Sequence, residues 1–477
     1  MVDAKILSLI LYASSSSFAT VWTVDDDGKA DFNTIQEAID TSSNGDFISV
    51  QEGIYYETIN FQGKAITVQG VNVENTIIDG SFTGGSIVTF ENAETNSSVL
   101  SQLWIRGGSG SNWTDPIFGL QLCGGGIFCD QSSPMIRSCN ITDNSAWGGG
   151  GMFVTQGDPQ VLFCQLIHNE ATGHGGGLYV NDHVNAILDS CDISNNSASW
   201  GGGMTCSVQS DPQILNCSFN ENITHNVGGG IFIRSSSSPV ILNSVFINNM
   251  QVSNPLGSGG GVCIYGGGDS GGPCYPSFTY CEFKNNSVQG DGGGMAVAYD
   301  AHPNITDCYL GSNHAGRSGG GLACVADPDH LFSSTANIEG CTIESNTADE
   351  EGGGIHIRFS DPMINNTSVI GNIAAITGGG INFFDSPNAR LINSEICKNM
   401  PNAIEGSFAD GGGNNISDTC DNCEGDVNGD AIVDVVDLLG VVGNWGPCEV
   451  CNEDINHDGL VNVTDLLIVV GNWGSCE

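Results

Sequence analysis

Basic residues are scarce. Lys and Arg together number 11 in 477 residues, against 54 Asp and Glu, for a formal net charge of −43. So few cations cannot assemble a patch that neutralises phosphates, which excludes nucleic-acid binding, and an anionic membrane surface would repel the chain. Long apolar runs are also missing. Beyond the N-terminus nothing approaches the ~20 apolar residues that cross a bilayer, so no membrane span is expected. Charged residues make up 14% and hydrophobic residues 39%, which is too apolar for a chain that stays unfolded.

Glycine, by contrast, is plentiful, with 68 residues, and its placement organises the sequence. A Gly-Gly-Gly-apolar motif ends at Gly126, Gly151, Gly177, Gly203, Gly230, Gly261, Gly294, Gly321, Gly354 and Gly380. An apolar-x-x-Asn motif runs in phase with it, closing on Asn144, Asn169, Asn196, Asn222, Asn249, Asn286, Asn313, Asn346, Asn372 and Asn399. Two residues before each apolar member sits Cys139, Cys164, Cys191, Cys217, Cys281, Cys308 or Cys341, or else Ser244, Thr367 or Ser394.

After each triplet the first and third residues are apolar, as in Ile231 and Ile233, so each copy opens on a short strand. A unit this small cannot bury its apolar face alone and must stack on its neighbours. The expected fold class is all-β: a right-handed, single-stranded parallel β-helix, a solenoid. In it the Asn series becomes a ladder, the Cys column packs as small buried residues, and the glycines serve tight corners. The segment around Thr34–Asp40 has helical periodicity and is expected to cap the N-terminal end. Domain boundaries read as 1–19 for a secretory signal (Lys5, the run Ile6–Ala13, then Ser17-Phe18-Ala19), 22–120 for the cap and first coils, 121–415 for the triplet repeats and 416–477 for a separate unit.

The repeats resemble those of the pectate-lyase-like β-helix superfamily, and are most similar to the polymorphic outer-membrane proteins of chlamydia-like bacteria. Those are surface adhesins that end in a membrane barrel. This chain ends instead in an acidic segment without Lys or Arg from 421 onward.

That segment holds two aligned loops. Asp426, Asn428, Asp430, Asp434 and Asp437 stand at loop positions 1, 3, 5, 9 and 12, and Asp454, Asn456, Asp458, Asn462 and Asp465 repeat them. With the carbonyls of Ile432 and Leu460 at position 7, this is an oxygen set for calcium. Each loop runs into an apolar helix, expected over 435–442 and 463–470. The pair resembles the type I dockerin family, which implies a small all-α calcium-binding domain and a cohesin-like or other surface-anchoring partner. At loop positions 10 and 11 stand Val435-Val436 and Val463-Thr464, without the hydroxyl and basic contacts usual in that family. Cys420, Cys423, Cys448 and Cys451 invite a zinc-ribbon reading, but the repeat symmetry favours the disulfides Cys423–Cys448 and Cys451–Cys476.

Two fragments are similar to enzyme motifs of the superfamily: Gly53-Ile54-Tyr55-Tyr56-Glu57 to a pectinesterase motif, and Gly173-His174-Gly175 to one of polygalacturonases. Both stand alone, and the basic residues read as scattered. The middle residue of the strand after each triplet is expected to point outward, and four of the first five are aromatic: Phe128, Phe153, Tyr179 and Phe232. They form a candidate platform for stacking sugars. The function expected is a secreted or surface protein for adhesion or carbohydrate binding without catalysis, its partner a polysaccharide or cell-surface glycan. The alternative is a polysaccharide lyase or glycoside hydrolase walled by the longer copies near Gly266–Pro276 and Asp327–Thr335.

Overall fold

Each repeat closes one coil. In the copy beginning at Met152, strands Met152–Thr155, Gln160–Leu162, Gln165–Ile167 and Glu170–His174 each pair in parallel with a strand of the next coil. Stacked along the chain these make four sheets, numbered I to IV in that order, of 13, 15, 14 and 11 strands. The computed structural model describes residues 19–267, 271–326, 334–417, 425–428, 432–448, 451–456 and 459–475. The expected signal segment lies outside them, except for Ala19. No helix among the described residues is long and apolar enough to cross a membrane.

Alternation builds the core. Met152 and Val154 of sheet I, Val161 of sheet II and Leu166 of sheet III all turn inward and are buried in one cluster that runs the length of the coil. Identical residues stack on successive rungs: the Phe219, Phe246 and Phe283 rings lie 4.9 and 4.8 Å apart and nearly parallel, at the spacing of the strands themselves.

The corners explain the motifs. The first glycine of a triplet takes the left-handed conformation, as at Gly175 (φ +61°), and a Cβ on the next, Gly176, would meet the Gly202 carbonyl at 2.4 Å. Each ladder asparagine from Asn144 to Asn372 ties three coils together. Asn196 Nδ2 donates to Leu166 O (2.8 Å) and to Asn222 Oδ1 (3.1 Å), and the Asn196 backbone N–H donates to the same Oδ1 (3.0 Å). The cysteine column is buried and its thiols are free; Cys217 Sγ donates to the Leu215 carbonyl at 3.2 Å.

Helix α1, Ile35–Thr41, closes the N-terminal end with Ile35, Ala38 and Ile39 turned onto the core. The pectinesterase-like fragment serves this cap. Glu57 accepts from the Ile35 and Gln36 N–H groups (2.8 and 2.9 Å), and the buried Tyr55 hydroxyl donates to Gln51 O at 3.0 Å.

Near the C-terminus, α2 (Val435–Gly443) and α3 (Val463–Gly471) follow the two loops. Ile432–Val433 pairs with Gly474–Ser475, and Gly446–Pro447 with Leu460–Val461. The reciprocal pairing encloses Val433, Val441, Val461 and Val469. The expected disulfides are corrected here: Cys448 and Cys451 are bonded to each other. Their Cα atoms lie 6.1 Å apart, so neither is left for Cys423 or Cys476, which lie outside the described residues.

Candidate functional site

In the first five copies sheet IV ends on the residue before the glycine triplet, and sheet I begins just after it. The residue that closes sheet IV therefore comes to lie beside the middle residue of sheet I, as His174 does beside Tyr179, with ring centroids 5.2 Å apart. In the first coils this angle is filled. Phe128, Phe153, Tyr179 and Phe232 do point away from the main core, but they are only 0 to 4% exposed. The hairpin of Ser111–Asp115 and Gly119–Cys123 folds over the first three, with Trp113 5.0 Å from Phe153, while Trp200 and Tyr265 pack against Phe232.

The exposed aromatic platform expected from the sequence is thus corrected. Alternation fixed which way the side chains point, but a second layer buries that side too, giving two small outer cores. His174 of the polygalacturonase-like fragment lies in the same layer, among Trp147, Tyr179 and Trp200. Burial lowers its pKa to about 3. Enclosed in this way, it is a packing residue.

Further along, the filling runs out. The outward positions become Cys263, Ala296 and Ala323, and a groove opens between sheets I and IV. Three cavities follow one another there. The first, of about 360 Å³, is walled by Trp200, Phe232, Arg234, Tyr265 and Tyr299. The second, of about 340 Å³, shares Tyr265 and Tyr299 with the first and adds Asp291, Arg317 and Arg358. The third, of about 200 Å³, shares those last three and adds Glu350, Glu351 and His356. The Tyr265 and Tyr299 rings meet edge to face at 5.0 Å, and Tyr299 is 46% exposed.

The polar groups form one cluster. Arg317 lies 3.3 Å from Asp291 Oδ2 and 3.8 Å from Glu350 Oε2, and Asp291 Oδ1 accepts from the Ser318 N–H at 3.2 Å. Burial raises the Asp291 pKa, and Arg317 opposes the shift. His356 is held at about 4 by burial, reinforced by Arg358 and Arg317. The ring is therefore neutral near pH 7. Burial raises the Tyr265 phenol well above its ordinary value.

Three of the 11 cations of the chain, Arg234, Arg317 and Arg358, thus gather in one groove. They had read as scattered. The signal was their phase: Arg234, Tyr265 and Arg358 each stand four residues after a triplet, and Asp291 and Glu351 stand one before. Of the longer copies, Gly266, Gly267 and Gly271 border the first cavity. Residues 327–333 lie outside the described residues.

Of the calcium candidates, Asp430 and Asp458 also lie outside the described residues. Asp437 and Asp465 are fully buried. Asp465 accepts from the N–H groups of Ile455 (2.8 Å), Asn456 (3.2 Å) and Asn462 (2.9 Å). Burial pushes its pKa up, but these bonds outweigh that and hold it low. Asp437 accepts likewise from Asn428 and Asp434. Asp434 and Asn462 cap the helices through reciprocal capping boxes. Asp454 is buried, with Gly459 N–H on its carboxylate at 2.8 Å. Ile432 and Leu460 sit in the short strands, and Asp426, Asn428 and Asn456 in the loops. No cluster of three or more His, Cys, Asp or Glu placed to hold a metal occurs among the described residues.

A family described as a right handed beta helix region matches residues 117–272. A probable pectinesterase/pectinesterase inhibitor of Arabidopsis thaliana is 41% identical over 83 residues, 17% of this chain. The chain spans about a sixth of that relative's length, the aligned part being 16% of it. Among solved structures, the A-module of an Azotobacter vinelandii mannuronan C-5 epimerase is 12% identical, with a TM-score of 0.36 over 80% of this chain and 94% of that one. An α-1,3-glucanase catalytic unit from Streptomyces thermodiastaticus is 13% identical, with a TM-score of 0.31 over 80% and 65%. The chain is a right-handed parallel β-helix.

Proposed function

We propose that this protein binds a polysaccharide along the groove between sheets I and IV, as an extracellular or cell-surface protein. The observation that carries this reading is the run of joined cavities, in which the Tyr265 and Tyr299 rings stand next to the Asp291–Arg317 pair. Aromatic faces for sugar C–H surfaces and a few convergent polar groups are what a carbohydrate site requires. Names of proteins that act on pectin and mannuronan among its relatives and neighbours support the same class of ligand. Retention on a panel of insoluble polysaccharides tests it, with Tyr265→Ala/Tyr299→Ala as the comparison. Equal retention of both proteins would place binding elsewhere.

A second reading, catalysis on the bound chain, is favoured by Asp291, a partly buried carboxyl with a raised pKa beside Arg317. Release of reducing ends from the same panel, lost in Asp291→Asn, would establish it.

The C-terminal unit we read as a calcium-dependent, dockerin-like module that attaches the β-helix to a cohesin-like or other surface protein. Asp437, Asp454 and Asp465 are buried in a segment with no Lys or Arg, and buried carboxylates of one sign call for a cation. Bound calcium would supply that charge and fix the loops. Calcium titration of the full chain, with Asp454→Ala expected to lose one of two sites, tests this.

A further inference from the structure

A fourth cavity opens where the hairpin meets sheet IV, with a volume of about 590 Å³, within the range of small-ligand sites. It shares no residue with the three cavities of the groove. Its apolar surface comes from Leu120, Leu122, Ala146 and Trp147, and its polar groups are the amides of Asn112 and Gln121 and three Ser and Thr hydroxyls. Solvent reaches it, since Leu120 is 65% and Leu122 46% exposed. Trp147 is held in place. Its indole lies against Gly173, where a Cβ would come within 2.7 Å of Cε2, and its ring centroid stands 5.5 Å from those of Phe118 and His174. The first glycine of the polygalacturonase-like fragment thus makes room for this ring.

The lining selects the chemistry of what it would hold. None of the residues that border the cavity is charged, in a chain with 54 Asp and Glu. A uronate or sulfate would lose water there and meet no cation, and an ammonium group would meet no carboxylate. A wholly apolar ligand is excluded too, because it would cover the amides and hydroxyls without pairing them. Gln121 Nε2 donates to Phe118 O at 2.8 Å, and its Oε1 remains an acceptor; Ser109 Oγ accepts from the Gly85 N–H at 3.0 Å, and its O–H remains a donor. A sugar ring meets both demands, with C–H faces for Trp147 and the leucines and hydroxyls that donate to Gln121 and accept from Ser109.

We propose that this cavity is a second carbohydrate site, which takes a neutral sugar stacked on Trp147. It is independent of the groove, whose walls hold Asp291, Arg317 and Arg358.

The test uses the full chain and soluble hexaoses of glucose, mannose and galactose, with their uronate and 2-amino counterparts. In Tyr265→Ala/Tyr299→Ala, which removes two walls of the groove, a neutral hexaose should still bind, with an affinity that salt does not change. Adding Trp147→Ala should weaken that binding about tenfold, and Trp147→Phe should restore most of it. On the unaltered protein the same hexaose should protect Trp147 and Leu122 from hydroxyl radicals, a readout that holds even if a variant does not fold. A charged hexaose that protects Trp147 better than its neutral counterpart would overturn the proposal. So would neutral binding that a folded Trp147→Ala leaves unchanged, or the absence of any neutral binding once the groove is altered. Protection of Trp147 by a second copy of the chain, with no hexaose bound, would make the cavity a protein contact and overturn it as well. The groove reading is judged separately, by the Tyr265→Ala/Tyr299→Ala comparison alone.

Discussion

Replacing Asn222 by Ala should open the coil locally, and the size of the effect follows from its bonds. Asn222 Oδ1 accepts from the Asn196 backbone N–H (3.0 Å) and from Asn196 Nδ2 (3.1 Å), and Asn222 Nδ2 donates to Ile193 O (2.8 Å) and Asn249 Oδ1 (2.9 Å). Asn249 Oδ1 keeps the Asn222 backbone N–H at 3.1 Å, so its loss is partial. The Asn196 donors are buried and find no replacement. Each unpaired buried donor costs about 1–3 kcal/mol, so the change should cost roughly 2–5 kcal/mol. Asn222→Asp should also be costly, because it keeps the acceptor but loses both donated bonds and buries a charge. A solenoid opens in parts, so a single melting midpoint is a poor measure. Hydrogen exchange is better suited: the Asn196 amide and the strands of the two adjoining coils should exchange faster, and distant coils should not. Asn220→Ala, on the solvent side of sheet III, serves as the control and should stay within about 0.5 kcal/mol. If the two variants protect their amides equally, the ladder contributes no more than a surface residue and the argument is refuted.

Phe153→Ala in the outer core should cost about 3–5 kcal/mol, comparable to the roughly 2–5 kcal/mol of Ile231→Ala in the main core; denaturation of the two side by side checks this. Stability should also fall on acidification. Unfolded His174 and His356 take up a proton near 6.5, but the folded chain holds them neutral down to about 3 and about 4. The unfolded state therefore binds more protons in that window, and stability falls with pH by up to about 1.4 kcal/mol per unit for each histidine, with no effect from them well above 6.5. His174→Phe should flatten a pH titration of stability between 6 and 5, and an unchanged slope would contradict the assignment. Calcium removal by a chelator should raise hydrogen exchange in α2 and α3 while leaving the β-helix amides protected.

The coil was readable because its constraints recur. A triplet that only glycine can fill, an asparagine that must bond above and below, and apolar residues at alternate positions each appear ten times in phase. The cap was readable from the periodicity around Ile35, Ala38 and Ile39. The burial of Phe128 and Phe153 was not, because alternation gives the direction of a side chain and cannot tell whether another layer lies beyond it. That layer comes from sheet IV and from a hairpin that does not repeat. The groove escaped for a related reason. Asp291, Arg317 and Arg358 lie up to 67 residues apart along the sequence, from 291 to 358, and are neighbours only because the coils stack. Tyr265 and Tyr299 become walls only because Ala296 and Ala323 leave the space between sheets unfilled.

Binding in the groove is tested most directly by hydroxyl-radical footprinting of the full chain, with and without a polysaccharide that it retains. The account predicts protection of Trp200, Tyr265 and Tyr299, which border the first cavity, and none of Tyr56 or Tyr280, which are exposed elsewhere on the coil. Protection of Tyr56 or Tyr280 with the groove tyrosines unchanged would contradict it.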